Sequence, residues 1–435
     1  MRDFFDFDPE RGWEERPPRR VFAVLAGEER PDEGPALRHF EAIDAEYVTE
    51  QTYGYAWDAP EGMPLSVLEY EARQGDPHLL ATVPEGVVLD IRFDDTLRDV
   101  TTRQYFNLFG AATPRGVANT VPADPGMTRR ILSSPPEDAF PAITQDRVAQ
   151  ALARTNAHAD MAAIYDVGQG SCSAILEAQG NPCLYFDFGG GVLQNTRTYP
   201  SALRHLCMTG KPTIVMSHWD WDHWSSAMRS QGAALAANLE GSTWIVPRQR
   251  IGPVHKAFLM RLIAAGAHVE FWDDATASIS YNAIEIAKCQ GVSRNDSGLA
   301  MRYRPNWASH DGVFFTGDCA YSALPPSFAG ARADALVVSH HGGLSGGGAP
   351  LAPATSNAPW YLSYGAGNSY DHPKRSAMSA HWSVGWSPAN LRDTTHRQAH
   401  PLGDLGHILV AAPGLNGPLA NTPPCGGACQ LPIVQ

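Results

Sequence analysis

The sequence predicts a layered α/β or α+β sandwich, and three observations carry that expectation. From about residue 160, short apolar runs alternate with segments whose apolar positions recur at helical spacing. Several of these runs stop abruptly at His and Asp residues. With 435 residues, 43% of them hydrophobic and 18% charged, the chain is globular and long enough for two or three domains. Sheets covered by helices, with chemistry at strand ends, fit this pattern.

The elements follow in order. Residues 1–155 are mixed: "RVFAVLAG" and "GVVLDIRFDD" predict strands, and "ITQDRVAQALARTNA" predicts a helix. Between them, "FGAATPRGVANTVPADPGMTRRILSSPPEDAFP" is rich in Pro, Gly and Ser and reads as a connector or extended loop. No catalytic cluster stands out there, so 1–155 is expected to be an accessory α+β domain, open to a protein partner or to self-association. In 156–412, "MAAIYDV", "SAILEA" and "PCLYFDF" predict strands joined by tight turns. "PTIVMS", "TWIVP", "HVEFW", "AIEIAKC", "GLAMRYR", "GVFFTGDC", "ALVVSHHGG", "WYLSYG" and "HILVAAP" predict further strands. Helices are expected at "HWSSAMRSQGAALAANL", at "GPVHKAFLMRLIAAGA" and after "HPKRSAM". Residues 413–435 form a Pro/Gly-rich tail. Cys425 and Cys429 within it are either a metal or redox pair or part of a flexible end.

Charge and cysteine content narrow the function. The net charge of -13, from 46 acidic against 33 basic residues, argues against a protein that coats nucleic acid through a basic surface. It leaves room for an enzyme whose bound cations supply positive charge locally. The first twenty residues lack a signal-peptide pattern and no stretch of 18 apolar residues occurs, so no membrane span is expected. Seven scattered cysteines read as reduced thiols, and a cytoplasmic location is expected.

The chemistry concentrates in "SHWDWDHW", residues 217–224. Burying two unpaired carboxylates costs several kcal/mol or more, so Asp220 and Asp222 need partners or a cation. His218, Asp220, Asp222 and His223 present N and O donors suited to Zn, Mn or Fe. Taken alone, Asp222 also reads as a helix cap. Three further strand ends add partners: Asp318 in "FFTGDCA", the pair His340 and His341 in "LVVSHHGGLSGGG", and His372 in "YGAGNSYDHPKR", before a proline suited to opening a helix. Trp219, Trp221 and Trp224 either fill the core or, in one case, form a stacking wall for a ring or base.

Taken together, "YDVGQGS", "FDFGGG", "SHWDWDH", "SRNDSGLAMRY", "FTGDC", "SHHGG" and "YDHPKR" resemble the metallo-β-lactamase superfamily, and within it the ComEC-like branch, over about 160–410. The resemblance implies a four-layer αββα sandwich and two divalent metal ions, Zn or Mn, with Mg also compatible. Carried over by position, His218 and Asp220 would ligate one ion; Asp222, His223 and His340 the other; and Asp318 would bridge them. His340 is preferred to His341 as ligand, leaving His341 beside the substrate. The chain departs from the family in its bulky tryptophan spacers and in Ser225 and Ser226, where glycines are usual. No further histidine for the first ion stands out; His255 is a candidate by elimination, otherwise an exposed helix residue.

The expected reaction is metal-dependent hydrolysis through a metal-bridging hydroxide, with phosphodiesters of single-stranded nucleic acid or a nucleotide as substrate. Asp222 or Asp220 would orient the hydroxide, and His372 would meet the leaving oxygen. Gly342 and Gly343 would offer amides to phosphate, or serve only as a turn. Lys374 and Trp219 complete the expected substrate contacts. Alternatives are a lactone or thioester hydrolase on the same site, a diiron redox protein, and a partner-binding module stabilised by its metals.

Overall fold

A computed structural model of the chain describes residues 4–5, 17–31, 34–50, 63–97, 101–132, 139–153, 160–178, 180–203, 206–229, 237–343, 346–397 and 405–412. It is a mixed α+β structure with several sheets and few helices. The chain sorts into two compact units. The first comprises Met1–Pro135 with Val192–Gln194 and Arg250–Ala264; the second holds the rest. The helix Gln145–Ala153, within the stretch read as accessory, therefore belongs to the second unit. The tail with Cys425 and Cys429 lies outside the described residues.

The first unit is built on an antiparallel sheet of seven strands, ordered Ala112–Arg115, Thr102–Tyr105, Leu65–Ala72, Ala36–Asp44, Arg20–Glu29, Val88–Phe93 and Val117–Pro122. One face packs Val21, Ala23, Phe40, Leu68 and Ile91 into a core, as alternation at period two requires. The expected connector 109–141 contains both edge strands and the helix Pro125–Ile131. Proline hides these elements from a sequence reading, yet Pro114 and Pro122 sit on edge strands, where a missing N–H breaks no ladder. Pro125 occupies the first helical turn behind Asp124, whose side chain accepts from Met127 N at 3.0 Å.

The second unit holds two seven-stranded sheets. In the first, Pro182–Phe186, Thr213–Val215, Thr243–Val246 and His268–Phe271 run parallel. Ser173–Leu176, Met161–Ile164 and Ile408–Val410 continue it antiparallel. In the other sheet, Val313–Phe315, Ala335–Val337, Trp360–Leu362 and Leu391–Asp393 are parallel. Leu299–Tyr303, Ile284–Lys288 and Ser278–Tyr281 extend it antiparallel. The sheets share one core: Ile164, Ile175, Phe186, Val215 and Ile245 cluster with Ile286, Met301, Val313, Phe315 and Val337. Phe314 points the other way, into a second cluster that includes Met378 from the helix Arg375–Ser383.

Some expected boundaries shift. His372 is followed by Pro373, but the helix starts at Arg375 with Lys374 at its N-cap. The helix expected after residue 223 begins as short 3-10 turns, Trp221–His223 and Ser225–Arg229, and 230–236 lie outside the described residues. Among the described residues no helix is long and apolar enough to cross a membrane.

Candidate metal centre

Parallel strands deliver their C-terminal ends to one edge of a sheet, where side chains can converge without interrupting the ladder. Asp187 follows Phe186, Ser217 and His218 follow Val215, Asp318 follows Phe315, and His340 and His341 follow Val337. Glycine backbone holds the 217–223 loop. The Asp222 carbonyl accepts from Ser171 N at 3.0 Å and Gly190 N at 3.1 Å. A Cβ at Gly189 would lie 1.6 Å from that carbonyl oxygen, and one at Gly170 2.8 Å from it. Ser225 and Ser226, where the resemblance expects glycine, donate their hydroxyls to the carbonyls of Gly190 and Gly189. Gly317, with φ of +54°, leaves room for Ser217 beneath Asp318.

Asp187 is fully buried and organises the first histidines. It accepts from Ser217 N at 2.7 Å and Ser217 Oγ at 2.9 Å, and its Oδ2 lies 2.8 Å from His223 Nδ1. With the Nδ1 proton shared toward Asp187, His223 Nε2 faces Asp318 Oδ1 at 3.2 Å. His218 Nε2 lies 3.2 Å from Asp220 Oδ2 and 3.8 Å from Asp318 Oδ2. His341 donates Nδ1–H to the Ser363 carbonyl at 2.8 Å and turns Nε2 to Asp222 Oδ2 at 3.3 Å and Asp318 Oδ1 at 3.8 Å. Nε2 of His218, His223 and His341 is buried in each case and makes no aligned hydrogen bond among the described residues. Within the second unit two sets of ligand atoms converge: His218, His223 and Asp318, and Asp222, His223 and His341.

His341 thus stands where His340 was expected. Both residues have left-handed backbones, with φ of 53° and 54°. Such a pair costs about 1–3 kcal/mol per residue and is retained where the surroundings over-determine it. The turn directs the His341 ring to Asp222, while His340 Nε2 remains 3.6 Å from Asp318 Oδ2. His372 lies near both, its ring stacked on His341 at 6.3 Å between centroids. Its Nδ1 is 3.1 Å from Gln169 Nε2; the amide donates, which leaves the ring proton on Nε2.

The electrostatics follow from this crowding. Burial opposes the charge of Asp318, but His223, His340 and His341 prevail and hold its carboxyl well below the usual range. Burial likewise works against protonating His223, yet Asp318, Asp187 and Asp222 raise it well above its ordinary value. His341 is raised too, against burial, by Asp318 and Asp222. A metal ion bound here would compete with protons for these same nitrogens.

Three expected substrate contacts are not delivered. Trp219 is fully buried, donates Nε1–H to the Pro247 carbonyl at 2.9 Å and stacks on Phe271, so it packs the loop and presents no face to a ligand. Lys374 is buried with Nζ donating to the Tyr370 carbonyl. Gly343 spends its amide on the His340 carbonyl, and Gly342, with φ of +78°, accepts from Lys374 N. Gly343 therefore serves a turn rather than a phosphate cradle, and it also leaves space for the His372 ring. His255 is buried rather than exposed, with Nε2 3.6 Å from Glu41 Oε1 in the first unit.

Sequence reasoning missed Asp187, Gln169 and Arg294, although all three lie in motifs it singled out. Arg294 Nη1 is 3.2 Å from Asp220 Oδ1. A lone acid or amide in a glycine-rich turn carries no signal of its target when the partner is 36 or 203 residues away. No protein-family model matches this sequence, and a search among curated proteins finds no match.

Proposed function

We propose that the second unit is a metal-dependent hydrolase of the metallo-β-lactamase fold, ComEC-like branch, cleaving phosphodiesters of single-stranded nucleic acid or a nucleotide. The observation that carries the reading is the convergence of three buried imidazole nitrogens, lacking aligned hydrogen bonds, on Asp222 and Asp318. Buried polar atoms left this way are costly, and a divalent cation is the partner their chemistry suits. Neutral imidazole with carboxylate fits Zn or Mn better than Mg. The two facing sheets with a shared core, and a helix against the second, fit an αββα sandwich.

His218, His223, His341, Asp222 and Asp318 would hold the metal. Bound there, it would supply Lewis acidity and lower the pKa of a water molecule toward neutrality. The protein's own part is positional. Asp187 fixes the His223 ring, and the Ser363 carbonyl fixes that of His341. The Asp220 and Asp222 side chains are 21% and 19% exposed, which opens them to solvent and lets one orient an attacking water. His372, with its proton on Nε2, is placed to donate to a leaving oxygen. The phosphodiester preference rests on the family resemblance and on the cationic Arg294 beside Asp220.

The test is hydrolysis of bis-p-nitrophenyl phosphate, single-stranded DNA and RNA with added Mn, Zn or Mg, beside Asp222→Asn. The wild type is expected to cleave at least one of them, with a loss of about 100-fold or more in the variant. Metal-loaded protein that leaves all three intact but opens lactones or thioesters would shift the substrate class.

A further inference from the structure

The metal-binding reading, on which this inference rests, draws on five carboxylate or imidazole side chains, and the expected ligand Asp220 is not among them. Asp220 belongs to neither convergent set. Its Oδ1 pairs with Arg294 Nη1 at 3.2 Å, and the Arg294 side chain is only 8% exposed. Arg294 is not a surface residue that happens to reach inward, because its backbone is anchored from two sides. Its carbonyl accepts from Gln249 Nε2 at 2.6 Å, and the same amide nitrogen reaches Ser297 Oγ at 2.9 Å. Two residues on, Asp296 accepts from Ala320 N at 2.8 Å and from Ser293 Oγ at 2.9 Å, tying this turn to the loop that carries Asp318. Gly298 packs against the Ser217 carbonyl, and Leu299 N donates to it at 2.7 Å. The guanidinium is therefore held against Asp220 by the same loops that set the metal ligands.

A second constraint concerns His223. Its Nε2 is common to both convergent sets, and one imidazole nitrogen has one lone pair to give. Only one set can be completed through it. A second ion would need another donor on the His218 side, and Asp220 is the residue in that position, 3.2 Å from His218 Nε2.

We infer that Arg294 withholds Asp220 from the ligand set, so that the centre takes a single tightly held divalent ion and the guanidinium stands as its second fixed positive charge. Arg suits this role because it stays protonated and needs no exchange with solvent metal.

Metal content tests the inference without recourse to activity. Full-length protein is loaded with Zn or Mn, desalted, and counted by plasma mass spectrometry, with circular dichroism to verify folding. Wild type and Asp220→Asn are both expected to retain about one ion per chain, and Arg294→Gln to move toward two. Should wild type retain two, with one lost in Asp220→Asn, the inference is overturned while the metal-binding reading stands. Arg294→Gln that folds and still holds one ion also overturns it. Protein that retains no metal overturns both. If Arg294→Gln fails to fold, the comparison of wild type with Asp220→Asn decides alone.

Discussion

Both units bury charge, and they handle it in opposite ways. In the first, Glu69 is buried but surrounded: His39 Nε2 lies at 3.2 Å, Arg103 Nε at 2.7 Å and Gln194 Nε2 at 2.6 Å. In the second, Asp318 is crowded by imidazoles whose Nε2 atoms lie near it without an aligned bond. Burial alone therefore does not mark a site. A charge whose partners are complete holds a sheet together, whereas a set of donors aimed at one point and left incomplete is arranged for something the chain does not itself supply.

Substitutions on the two sides should separate these behaviours. The largest effect is expected from Asp318→Asn, which removes the carboxylate common to His218, His223 and His341. Metal affinity should fall beyond the ~100-fold typical of losing an outer partner, read by competition with a chromogenic chelator. Asp187→Asn is next, with a loss of about 10–100-fold, because the His223 ring loses the acceptor that orients it. Glu69→Gln is the contrasting case in the first unit. It should lower stability by about 3 kcal/mol in urea titration, as expected when a buried ionic network loses one member, with the metal content of the folded protein unchanged. A loss of metal in that variant would erase the distinction between the two regions.

The smallest effect is a dependence on pH whose direction depends on metal. His223 and His341 have folded values raised above the ordinary 6.5. In metal-free protein their stabilisation is complete below 6.5 and lost as pH rises through the raised values. Asp318 is lowered below its ordinary 3.8, so its contribution is present above that value and lost as pH falls through the lowered one. Metal needs the imidazoles neutral, so its stabilisation grows over the range in which the metal-free protein weakens. Melting temperatures against pH, with chelator and with Zn, should diverge as pH rises above 6.5. Parallel curves would mean that the ion binds elsewhere.

The sequence made the candidate ligand residues legible because each is local: a donor directly beyond a short apolar strand, in "SHWDWDH", "TGDC" or "SHHGG". What it hid was orientation and partnership. Which histidine of the 340–341 pair turns inward depends on two consecutive left-handed residues, and no spacing rule encodes that. Asp187, Gln169 and Arg294 act across long stretches of chain on groups they do not resemble. The tryptophans misled in part because aromatic side chains beside a site serve stacking and packing equally well, and burial decides for packing at Trp219. In the first unit, prolines at edge positions disguised two strands as a loop.

The Asp222 carbonyl also has a consequence for recognising other chains of this kind. Its oxygen fills the space a side chain would need at 189 and, together with the Gly190 backbone, at 170, so those two positions tolerate glycine alone. The tryptophans between the ligands are held instead by packing and, at Trp219, by one hydrogen bond to the Pro247 carbonyl. A distant relative would then be recognised less by the residues proposed to hold a cation than by two small gaps in its sequence, each the imprint of backbone packed against it.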